Sequence, residues 1–173
     1  MASLRAFTGK PLQGFTLIEM LVVIGILGLV GTVGLVMSFD SYRQYSYQND
    51  RNLIIATLQK ARSQAVNEVC INALIPTCTG GLPHGVHIGS GQVVIFQGTT
   101  YNPLDTTNEI VSFSSAATVV GGAGEPTDVV FSELSGDATP NPVGDWNLTV
   151  KSTASGESSV ITFNTAGQIK WTK

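Results

Sequence analysis

Charge is scarce in this chain. Asp, Glu, Lys and Arg are 12% of 173 residues, and Lys and Arg are outnumbered 9 to 12. A chain so poor in cations is a poor default binder of bulk nucleic acid. Histidine occurs twice, at His84 and His87. Three apart on one strand, the two would face opposite sides and not converge. Asp128 and Glu133, at odd spacing, would diverge in the same way. The chain has no Gly-x-Ser-x-Gly elbow, no phosphate loop and no His-Glu-x-x-His. No catalytic set is therefore assigned, and neither an enzyme nor a cofactor is expected.

What is present sits at the start. Gly14-Phe15-Thr16-Leu17-Ile18-Glu19 opens a run from Met20 to Phe39, 20 residues without charge or proline. At 1.5 Å per residue such a helix covers about 30 Å, the hydrocarbon thickness of a bilayer. Arg5 and Lys10 precede it with no acidic residue, which holds the leader on the cytoplasmic side. An ordinary secretory signal is shorter and ends in a small-x-small site. Val36-Met37-Ser38-Phe39-Asp40 offers none. Glu19 is a carboxylate at the mouth of the run, where charge is costly and usually functional; the plain alternative is a glutamate that snorkels to the interface. Gly25, Gly28, Gly31 and Gly34 recur every third residue. They serve either close helix packing or a point of local unwinding.

The hexapeptide and the run together resemble the class III signal of type IV prepilins and secretion pseudopilins. The resemblance implies cleavage between Gly14 and Phe15 by a prepilin peptidase, which also N-methylates Phe15. It implies that Glu19 pairs with the amino terminus of a neighbouring subunit during filament assembly. It places the protein in the bacterial inner membrane as a single-pass chain with its C-terminal domain in the periplasm. Other pilins or pseudopilins are the implied partners, and nucleic acid is not. Loss of the leader lowers Lys+Arg from 9 to 7 against 12 Asp+Glu, for a net charge near −5.

The two cysteines, Cys70 and Cys78, read as a disulfide outside the cytoplasm. The alternative, a metal site of Cys70, Cys78, His84 and His87, lacks the ligand spacing of common zinc sites; no metal is assigned.

Four segments follow. Residues 1–14 form the leader, 15–39 the transmembrane and assembly helix, 40–69 an amphipathic helix, and 70–173 a β-rich domain. On the amphipathic part Ile54, Leu58, Ala61, Ala65 and Val69 share one face. Strands are expected at 84–88 and 92–97 around a glycine turn, then at 109–113, 117–120, 127–134, 146–151, 159–163 and 168–171. Residues 121–126 and 135–144, rich in glycine and proline, read as loops. The class is α+β, one long N-terminal helix packed on an antiparallel sheet.

Leu58–Ala65, Val129-Val130-Phe131 with Gly136, Leu148–Val150, and Ile161-Thr162-Phe163 with Gly167 resemble the H-type minor pseudopilins of type II secretion. That family includes a minor-pilin branch of type IV pili, some of whose members bind DNA through an arginine-rich tail. Here the tail, Gly167–Lys173, has two lysines, Trp171 and no arginine. Trp171 would stack on single-stranded DNA or face the core of the sheet. Asn147-Leu148-Thr149 is a formal glycosylation sequon with no reason for use.

Overall fold

Thr16 starts the helix. Its hydroxyl accepts from the Glu19 backbone N–H at 3.3 Å and its carbonyl from that of Met20 at 3.2 Å, the work of an N-cap. Helix α1 then runs from Leu17 to Val66, 50 residues, and Glu19 in its first turn suits the positive end of the helix. The structure, a computed structural model, describes residues 14–71, 81–89, 91–113, 118–121, 124–141 and 146–172, with side chains except at 34–38, 40, 118 and 119. The chain divides into two units, Met1–Phe39 and Asp40–Lys173.

In the second unit α1 ends three residues before Val69. Glu68 takes a positive φ of 50°. The Val69 N–H then reaches back to the Gln64 carbonyl at 2.9 Å and that of Glu68 to Ala65 at 3.3 Å. This is a left-handed helix cap. It is made with glutamate where glycine is usual, which is why the sequence gives no stop signal there. Tyr47, Ile54, Leu58, Ala61 and Ala65 bury the face of this half, while Val69, beyond the cap, is exposed.

Among the described residues nine strands follow: β1 His84–Gly89, β2 Gln92–Gln97, β3 Glu109–Ser112, β4 Thr118–Val120, β5 Asp128–Phe131, β6 Ala138–Asn141, β7 Asn147–Ser152, β8 Ser158–Phe163 and β9 Ile169–Thr172. They form two antiparallel sheets instead of one, in the orders β3-β2-β1-β5-β6 and β4-β7-β8-β9. The fold is α+β, with the helix packed on both sheets. The stretch read as the loop 135–144 contains β6. It carries Pro140 and pairs only with β5, and an edge strand tolerates a proline. The expected strand 127–134 stops at Phe131, because residues 132–136 form a tight turn.

The core lies between the helix and the inner faces of both sheets. Val86, Ile88, Val93, Ile95, Val129 and Phe131 come from the first sheet, and Leu148, Val150, Ile161 and Phe163 from the second. Tyr47 ties the helix to the second sheet: its hydroxyl lies 3.1 Å from the Val150 carbonyl and 2.9 Å from Ser159 Oγ. Burial on β1 and β2 does not alternate, because the outer face is covered as well. Phe96 lies flat over Gly85, where a Cβ would sit 2.2 Å from its ring. Tyr101 packs on His87 at 3.9 Å.

Candidate functional site

The sequence points to the first unit, and its chemistry there is simple. Gly14 has open space around it. Phe15 is 74% exposed and Leu17 83%, so the bond between Gly14 and Phe15 is flanked by uncovered residues. Glu19 stands one turn into the helix, its amide held by Thr16. Among the described residues it has no ion-pair partner.

From Leu17 to Val33 the large apolar side chains are exposed, and Ile26, Leu29, Val30 and Val33 line a shallow, almost wholly apolar groove of about 460 Å³. Gly25, Gly28 and Gly31 each face open space; Gly34 lies outside the described side chains. Among the described residues no helix is long and apolar enough to cross a membrane.

The other residues named from sequence lie in the second unit and do not form one site. Cys70 is disulfide-bonded. Cys78 lies outside the described residues, as does the leader apart from Gly14. His84 and His87 face opposite sides of β1, so they share no metal. His84 is fully buried on the inner face. Its Nδ1 lies 2.9 Å from the Leu82 carbonyl and its Nε2 is buried with no partner. Burial lowers its pKa, an effect partly opposed by the bond to Leu82. The ring is therefore neutral at pH 7, with the proton on Nδ1 donated to that carbonyl.

His87 lies on the outer face, with Nδ1 2.6 Å from Asp128 Oδ1 and its ring stacked on Tyr101. Glu133 is in the turn after β5, apart from that pair. In the loop before β3, Asp105 accepts from the Thr107 backbone N–H and hydroxyl, and these bonds hold its carboxyl below the usual range. Among the described residues no cluster suits a metal ion.

Trp171 is 46% exposed and its ring lies 4.0 Å from the Arg51 guanidinium. On β9 it sits opposite Ile161, on the core side of the second sheet. The sequon hydroxyl, Thr149 Oγ1, is bonded to Glu125.

The glycines of the C-terminal pattern do converge. Gly136 and Gly167 belong to turns of different sheets, and both have positive φ, 67°. A Cβ on Gly167 would lie 1.9 Å from the Gly136 carbonyl oxygen. Arg62 donates to the Gly136 carbonyl at 3.3 Å and to that of Ala166 at 3.1 Å. One helix residue thus joins both turns. Its role was missed from sequence, because nothing near Arg62 in the chain marks the two turns it reaches.

No curated protein and no solved structure matches the chain. Residues 12–35 match the family described as prokaryotic N-terminal methylation motif, so the chain carries that motif across Gly14, Phe15 and Glu19.

Proposed function

We propose that this chain is a type IV pilin-like precursor that works as a minor pseudopilin of a type II secretion system. The observation that carries the reading is the methylation motif on residues 12–35, seated on a helix whose apolar side chains are exposed. Cleavage between Gly14 and Phe15 frees an amino group four residues before the helix's first carboxylate. Phe15 is N-methylated, and Glu19 pairs with the amino terminus of a neighbouring subunit. In low dielectric that pair is strongly attractive, and either charge alone is costly.

Before assembly the apolar run, which continues in sequence to Phe39, holds the chain in the inner membrane with the β-rich unit in the periplasm. Such a subunit is structural and catalyses nothing. Its partners are the peptidase that processes it and the other filament subunits. A Cys70–Cys78 bond would close the segment after the helix.

Two experiments test this. Glu19→Ala should abolish recovery of the protein with sheared filaments while leaving its membrane level intact; unchanged recovery would sink the assembly role. Deleting the gene should remove several proteins from the culture medium. An unchanged profile would move the reading to a minor pilin that initiates type IV pili. DNA uptake is the weaker member of that branch here, since Arg51 occupies a face of Trp171.

A further inference from the structure

Leu134 is in the wrong place for a leucine. It is 66% exposed and its φ is +61°, a conformation that bulky side chains rarely adopt. The Ser135 N–H bonds the Glu133 carbonyl at 2.6 Å across it. A three-residue turn with positive φ at its centre is the rare and strained kind. Glycine or asparagine would sit there at less cost.

The conformation is nevertheless held firmly. The Leu134 N–H bonds the Ala65 carbonyl at 3.2 Å, Gly136 N–H bonds Ser132 and Ser132 N–H bonds Asp137. Glu68, the other non-glycine residue with positive φ among the described residues, bonds the same Ala65 carbonyl. Both strained residues therefore meet at the last turn of α1. Val69, 39% exposed, hangs from the adjacent carbonyl of Gln64.

These bonds come from the backbone and any residue could make them; the leucine side chain, left in water, returns no burial for the strain. We propose that Leu134 is the central contact of a docking surface for another protein, with Val69 beside it. Its charge states the partner's chemistry. Glu68, Glu133 and Asp137 are exposed around the turn, and the Arg62 guanidinium is spent on the Gly136 and Ala166 carbonyls. Glu133 also borders a cleft of about 530 Å³ lined by Pro83, Val130 and Pro140. The complement is an apolar side chain flanked by Lys or Arg. A second copy of this chain is disfavoured, because it would bring the same carboxylates face to face. This surface is separate from the N-terminal motif and stands or falls without it.

The test uses the full chain in its own host, with photoreactive benzoylphenylalanine replacing Leu134, Leu104 or Ile26 in parallel. Leu104 is 88% exposed and serves as the control for mere exposure. The Leu134 probe should capture a different protein through a peptide bearing Lys or Arg, and the Leu104 probe should not. In a second arm the probe sits at Val69 and Leu134→Gly is added. Glycine accepts positive φ, so the melting temperature should hold or rise while the adduct falls about tenfold.

Capture of a second copy, capture through an acidic peptide, no adduct at Leu134, or equal capture at Leu104 would each overturn the proposal. So would a Leu134→Gly variant that melts lower, since the leucine would then be structural. Adducts at Ile26 without any at Leu134 would remove this surface and leave the filament reading standing; the converse would do the opposite.

Discussion

Leu29 and Leu58 lie on the same helix and have opposite fates. Leu29 is 70% exposed and Leu58 is fully buried. Neither composition nor helical geometry separates them. Leu58 has two sheets to pack against, whereas the apolar face around Leu29 finds no cover among the described residues. The hydrophobic effect acts on both alike. In the proposed function lipid or other helices supply the apolar surroundings of the first unit, while the second finds them in its own core.

The sharpest way to break this comparison is with one substitution made in both units. Gly167→Ala drives a Cβ into the Gly136 carbonyl at positive φ and should cost about 4 kcal/mol in urea unfolding. Gly28→Ala meets nothing within 4 Å and should gain about 1 kcal/mol of helix stability. If Gly28→Ala nevertheless stops filament incorporation, that glycine serves close packing between subunits.

Next in size is Leu58→Ala, with an expected loss of about 3 kcal/mol from a cavity in the core. Leu29→Ala should leave the urea midpoint unmoved and lower only assembly. Equal effects on unfolding would mean that the first unit is covered by its own chain after all.

A smaller effect tracks pH. The His84 pKa is lowered from 6.5 by burial, so in the window below 6.5 the unfolded chain binds a proton that the folded one refuses. Stability is full above pH 6.5 and falls as the pH drops through the window between the two pKa values. Urea midpoints at pH 7.5 and 5.5 should show that fall in the wild type and a shallower one in His84→Gln. The smallest effect belongs to Lys60→Ala. It breaks a pair with Glu109 whose side chains are 50% and 42% exposed, and it should cost no more than about 0.5 kcal/mol.

Much of this was readable beforehand, for reasons visible in particular residues. The spacing of Ile54, Leu58, Ala61 and Ala65 named the buried face, because the period of a helix is written directly in the positions of its apolar residues. Alternation and glycine turns located β1, β2, β7, β8 and β9. β6 was hidden because Pro140 argues for a loop and only pairing with β5 makes it a strand. The cap at Glu68 and the turn at Leu134 were hidden because neither residue prefers the conformation it holds.

The sequence by itself determined the N-terminal motif, the length of the apolar run and the sidedness of the amphipathic half, since all three are properties of residues close in the chain. Only the tertiary structure decided that the strands divide into two sheets, that of the two histidines His84 takes the inner face and His87 the outer, and that Arg62 binds turns 74 and 104 residues away. The physical reason is one of range. Period, charge and length act between neighbours, whereas burial, register and the partner of a polar group depend on what distant segments bring to the same place.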